Sequence, residues 1–91
     1  MKEVSAGMSA VSLAGHDTGK IYIIIEAEGE YVYLADGRLR PSDRPKKKKQ
    51  KHVQIHCHIA PDIEEELKRD GVIKNETIKR VIKEYRSKQE V

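Results

Sequence analysis

Phenylalanine and tryptophan are absent from this sequence, and the only aromatic residues are four tyrosines. Any core must therefore be aliphatic, filled by Val, Ile, Leu and Ala. Cys57 is the sole cysteine, which excludes an intramolecular disulfide and fits a reducing compartment. No apolar stretch approaches the roughly 18 residues that span a bilayer. The opening segment, MKEVSAGMSAVSLAGHD, lacks the apolar centre of a secretory signal. Together these absences make a cytoplasmic protein without membrane contact the expectation. No glycine spacing fits a phosphate loop or a dinucleotide fingerprint, and His16 and Asp17, being consecutive, diverge on an extended chain with no Ser or Cys nucleophile tied to them. Neither an enzyme nor a bound cofactor nor a small-molecule substrate is expected.

What the chain does have is charge, at 36% of its 91 residues, unevenly spread. Residues 1–37 hold two cations, Lys2 and Lys20, against six acids, a net −4. Residues 38–51 hold Arg38, Arg40, Arg44, Lys46, Lys47, Lys48, Lys49 and Lys51 against Asp43 alone, a net +7. Residues 52–91 hold eight of each sign. A basic excess confined to one segment favours a polyanionic partner. Its length suits one small domain.

The organising stretch is Ser9 to Ile25, SAVSLAGHDTGKIYIII: two apolar arms around a polar bend with Gly15 and Gly19. Ile21 to Ile25 is rich in β-branched residues that suit a strand, and the glycines allow positive φ at the bend. The spacing predicts strand, tight loop, strand. Ile21, Ile23 and Ile25 share one face, Tyr22, Ile24 and Glu26 the other, and apolar residues on both faces suit a closed barrel with a partly covered exterior. Glu28-Gly29 reads as a hairpin turn before a third strand, Tyr31–Ala35, and Asp36-Gly37 as a two-residue hairpin into a short fourth strand, Arg38-Leu39-Arg40, with both arginines on one face. Residues 41–51 read as an unpacked basic connector. Val53 to Ile59 alternates strictly, with Val53, Ile55, Cys57 and Ile59 inward, and gives the fifth strand. Five short strands with tight turns imply a barrel rather than a flat sheet.

After Pro61 the period becomes helical. Asp62 and Glu65 resemble a helix-start box, Ile63 and Leu67 make an apolar stripe, and Gly71 is placed to stop the helix. Asn75 is placed to cap a second helix carrying Ile78, Val81, Ile82 and Tyr85 on one face. Packing over the barrel is the expected fate of that face. Glu64, Glu65 and Glu66 read as solvated surface, and Met1–Ala6 as a frayed end.

Val11, Gly15, Asp17, Gly19 and the run ending at Ile25 resemble the KOW motif of ribosomal proteins and NusG-type elongation factors. The likeness continues through Tyr31–Gly37, Arg40-Pro41, Pro45–Lys48 and Lys51-His52, as in stand-alone proteins related to the large-subunit ribosomal protein 14-e family. His16 stands where members often carry a basic residue. The resemblance, which covers Gly7 to about His52, implies a KOW-type, Src homology 3-like, five-stranded barrel over residues 1–59, with the basic connector at 41–52; the helical period adds an extension over 60–91, giving a mainly β fold with C-terminal α. The resemblance also implies an RNA-binding role, with RNA, rRNA above all, and ribosomal proteins as partners.

The residues expected to bind RNA follow from both lines. Gly15, His16, Thr18 and Gly19 can offer backbone N–H groups and a hydroxyl to a phosphate, with Lys20 adding charge. Arg38, Arg40, Arg44, Lys46, Lys47, Lys48, Lys49, Lys51 and His52 form the basic patch. Asp17 is expected to shape the loop. Tyr31 and Tyr33 share a face, read as covering apolar surface rather than as a base platform. His52, His56, Cys57 and His58 do not make a tetrahedral metal set, since Cys57 alternates away from its neighbours. A second reading is a protein-interaction adaptor of the transcription or translation machinery, whose mark would be an uncovered Ile78–Tyr85 stripe.

Overall fold

The computed structural model describes residues 3–89. Strands β1 (Met8–Ser12), β2 (Ile21–Glu28), β3 (Tyr31–Ala35), β4 (Lys46–Lys49) and β5 (Val53–Ile59) form one antiparallel sheet in the order β4-β3-β2-β1-β5. Helices α1 (Pro61–Asp70) and α2 (Asn75–Gln89) follow, and a 3-10 turn at Gln50–His52 joins β4 to β5. The mainly β architecture with two C-terminal helices agrees with the periodicities. Met1, Lys2, Glu90 and Val91, at the outer bounds of the two expected units, lie outside the described residues. Val4, expected in a frayed end, instead packs against the core.

Strand β2 carries two cores because it is apolar on both faces. Tyr22 and Ile24 join Met8, Ala10, Val32, Leu34 and Val53 in an inner cluster. Ile21 and Ile23 join Ala35, Ile63, Ile73, Ile78, Val81 and Ile82 in an outer cluster beneath the helices. The inner cluster forces curvature. In a flat sheet β4 and β1 would lie about 14 Å apart, three strand spacings. Here the Lys48 Nζ of β4 donates to the Ser12 hydroxyl of β1 and to the Ala14 carbonyl at 2.9 Å. The sheet is open, with β4 and β5 at its edges, and it curls until β4 reaches the end of β1.

Several local expectations need correction. Arg38–Arg40 is not a strand: the fourth strand is Lys46–Lys49, inside the expected connector, and it pairs with β3 from Tyr31↔Lys49 to Leu34↔Lys46. Asp36-Gly37 is not a two-residue hairpin either. Among the described residues positive φ occurs only at glycines, and the Asp36 carboxylate accepts the amides of Arg38 (2.8 Å) and Arg40 (2.9 Å), rounding the chain into a wider loop. In β2 a bulge at Ile25 shifts the register, so Glu26 turns outward opposite Tyr33 and Ala27 enters the inner side opposite Val32. In β5 a second register shift leaves Cys57 exposed, although alternation placed it inward.

Helix α1 begins with Pro61 in the first position and has no side-chain cap, so Asp62 does not form the expected box. Its end at Gly71, left-handed, is as expected. Asn75 does not cap α2: its side-chain oxygen accepts the Ser42 amide at 2.8 Å and ties the β3–β4 loop to the helix. Glu66, which is buried rather than solvated, ties α1 to the start of α2 by accepting the Lys74 amide and the Thr77 hydroxyl, each at 2.7 Å. Burial raises that carboxyl, but these two hydrogen bonds, with Lys74 and Arg69 nearby, hold it below the usual range. The Ile78, Val81 and Ile82 face is buried against the sheet, with Tyr85 packed beside it.

Because the outer cluster joins β2 and both helices, sheet and helices should unfold together. Ile78→Ala should cost about 3 kcal/mol, within the range for emptying a fully buried aliphatic site. Urea unfolding followed by helix circular dichroism and by tyrosine fluorescence should give one coincident transition. Two separated transitions would contradict this packing.

Candidate nucleic-acid interface

The β1–β2 loop is built around Asp17. Gly15 (φ +87°) and Gly19 (φ +88°) occupy conformations that side chains resist, as the double-glycine pattern requires. The Thr18 hydroxyl donates to the Gly15 carbonyl at 2.7 Å, the Gly19 amide to the Ser12 carbonyl at 2.8 Å, and the Lys20 amide to the Asp17 carbonyl at 2.9 Å. Thr18 and Gly19 therefore spend inside the loop the donors expected to meet phosphate. Gly15 and His16 remain exposed, and their amides are absent from this internal bonding.

Four side chains converge on the Asp17 carboxylate. One oxygen accepts the Ser12 hydroxyl (2.8 Å) and Lys48 Nζ (3.0 Å), the other the Tyr22 hydroxyl (2.8 Å) and Lys46 Nζ (3.0 Å). Burial by itself would raise this carboxyl. The hydrogen bonds from Lys46, Tyr22, Lys48 and Ser12 outweigh it and hold Asp17 far below the usual carboxylate range. Tyr22 is pushed up by burial and then by Asp17 itself. The loop-shaping role expected of Asp17 holds, with partners that local sequence did not suggest.

Pleating divides the four consecutive lysines of β4. Lys46 and Lys48 lie opposite Leu34 and Val32 on the inner side, where their alkyl stems cover apolar surface and their ammonium groups reach Asp17. The Lys48 side chain is only 11% exposed, which makes it a structural group rather than a free charge. Lys47 and Lys49 point outward. Lys47 stands 4.3 Å from the centroid of the Tyr31 ring, so Tyr31 is covered as a base platform would not be, and Lys49 lies 3.7 Å from Glu30. Lys51 and His52 are exposed on the 3-10 turn.

The arginines sit on the β3–β4 loop. Arg38, Arg40 and Arg44 are exposed and make no ion pair among the described residues. Lys20 instead pairs with Asp36, linking the end of the glycine loop to the start of the arginine loop. Burial would raise Asp36; the bonds from Lys20, Arg40 and Arg38 hold it low. The fold thus brings the glycine loop and the basic segment together on one side. Asp17 and Asp36 lie at the junction, but both are largely buried and fully bonded.

His56 and His58 are exposed, and no group of three or more metal-ligating side chains occurs among the described residues. Three structural polar residues escaped sequence reasoning: Tyr22, Ser12 and Glu66. The isolated acid in a glycine loop facing a lysine run was the available signal for the Asp17 cluster; nothing local marked Glu66. No protein-family model matches the chain, and no curated protein resembles it closely enough to define a relative.

The folded carboxyl of Asp17 lies below its ordinary value of 3.8. The cluster therefore stabilises the fold fully above about pH 4 and progressively less as pH falls toward the folded value. Asp17→Asn should cost about 3 kcal/mol at pH 7, the scale for removing one partner from a buried ion pair. Urea unfolding should show the gap to wild type narrowing at pH 3. An equal gap at both pH values would contradict the ionic account.

Proposed function

We propose that this protein is an RNA-binding module associated with rRNA or the ribosome, which holds its ligand through phosphate contacts and RNA shape rather than through base reading or catalysis. One observation carries the reading. The Asp17 cluster fastens the glycine loop to β4, while Lys47, Lys51, Arg40 and Arg44 on the same segment remain exposed without an acidic partner among the described residues. Lys47 on β4, and the others on the loop and turn that flank it, can neutralise phosphates and release counterions on binding. The thin aromatic content and the covered Tyr31 ring argue against stacking of bases.

The finer fold assignment belongs to the same proposal. A five-stranded antiparallel sheet that curls about Tyr22 and Ile24, with its last two strands joined by one 3-10 turn, supports the KOW-type, Src homology 3-like barrel implied by the resemblance. The adaptor alternative drew on an uncovered helical stripe. Ile78, Val81 and Ile82 are buried, so that support is missing.

Titration onto a structured RNA at rising salt tests the reading. Lys47→Gln/Lys51→Gln should flatten the slope of log K against log salt by about 1.5 and leave the melting temperature unchanged. Lys46→Gln/Lys48→Gln should instead lower the melting temperature by several degrees. Absence of salt-dependent RNA binding by the wild-type chain would overturn the proposal.

A further inference from the structure

A groove of about 680 Å³ runs between the β3–β4 loop and α2, away from the residues that sequence reasoning favoured on β4. Five cations line it: Arg38 from the loop, and Lys79, Arg80, Lys83 and Arg86 from the helix. Its acids are already engaged, Asp36 with Lys20 and Glu76 with Lys79 at 2.7 Å. Arg80 pairs with Asp62 at 3.3 Å. Arg38, Lys83 and Arg86 make no ion pair among the described residues.

The groove is held by a close approach that only glycine permits. A Cβ on Gly37 (φ +82°) would lie 2.7 Å from the Asn75 carbonyl oxygen and 2.8 Å from Lys79 Cγ. With the Ser42 to Asn75 hydrogen bond, this contact docks the loop on the start of α2. The docking sets Arg38 beside the α2 cations and Glu76, and the surplus of positive charge in the lining favours an anionic occupant.

Lys79, Lys83 and Arg86 fall at i, i+4 and i+7, a row on one helix face about 10 Å long at 1.5 Å per residue. One phosphate cannot use such a row, whereas a strand carrying a phosphate every ~3.4 Å along its axis can. The only apolar side chain in the lining, Ile82, is buried. There is thus neither an aromatic surface for a base nor an exposed apolar anchor of the kind that centres a protein interface.

We propose that this groove is a second nucleic-acid contact, taking the phosphodiester backbone of a folded RNA along α2 while the glycine loop and β4 engage a neighbouring stretch. The inference rests on the RNA-binding reading above and shares Arg38 with its basic patch, but it adds the α2 cations and does not use Lys47 or Lys51, so the two can fail separately.

The full-length chain is titrated onto a fluorescent 20-base-pair RNA hairpin between about 50 and 200 mM salt, where phosphate contacts dominate the salt dependence. Arg38→Gln/Lys83→Gln/Arg86→Gln should lower the salt slope by about 2 and weaken binding at low salt at least tenfold. Arg38→Lys/Arg86→Lys, which keeps the charge, should restore the wild-type slope, and thermal melts confirm folding. A slope that moves no more per charge than in Lys68→Gln/Lys74→Gln, on α1 and the interhelix turn, overturns the groove and leaves the β4 reading standing. Loss of slope in the groove variant but none in Lys47→Gln/Lys51→Gln supports the groove and removes β4. A wild-type chain that ignores the hairpin overturns both, and displacement of the hairpin by poly-glutamate at equal charge overturns the assignment to phosphate.

Discussion

One carboxylate holds the parts of this molecule in register. Asp17 receives two lysines from an edge strand, a tyrosine from the centre of the sheet and a serine from the end of β1. Those partners come from β1, β2 and β4, so the ion closes the curl of the sheet at the mouth of its inner core. An unpaired carboxylate would be costly in that setting, as would the largely enclosed ammonium group of Lys48. Satisfied on every side, the cluster specifies both the loop conformation and the placement of β4. The loop's glycines make that conformation accessible, and Asp17 makes it the one adopted.

Charge in this chain is sorted by geometry rather than by segment. In β4 the pleat sends alternate lysines inward to Asp17 and outward to solvent, so a run of four supplies two structural groups and two surface charges. The C-terminal region hides a similar division. Its charges cancel overall, yet α1 carries five acids against Lys68 and Arg69, and α2 carries five bases against Glu76 and Glu84. Net charge over a stretch therefore understated the basic surface, and the α2 face emerges only once the helices are packed.

Hydrophobic period made β2, the start of β5 and the α2 stripe readable, because each buries side chains at the spacing its geometry demands. Gly71 was readable from backbone chemistry alone, and the β2–β3 turn to within one residue, since it falls at Gly29-Glu30 with Glu28 still paired in β2. Strand β4 was not. A strand known by apolar alternation disappears when its inward positions are lysines whose stems do the covering. Arg38–Arg40 looked like its replacement because Asp36-Gly37 imitates a hairpin, whereas Asp36 in fact gathers the amides of the following loop. The bulges at Ile25 and near Cys57 broke alternation without a local signature. Of the residues expected to meet RNA, Lys46, Lys48, Thr18 and Gly19 are spent on structure, which their sequence context did not show, and Lys47, Lys51 and the arginine loop remain as exposed cations.

The most direct measurement is the pH titration of the Asp17 side-chain carboxyl carbon by NMR in the folded protein. A cluster of the kind described keeps this carboxylate ionised at pH 3, where an ordinary aspartate near 3.9 is mostly protonated. A midpoint close to 4 would mean that Lys46, Lys48 and Tyr22 do not hold the loop, and the account built on that ion would fall with it.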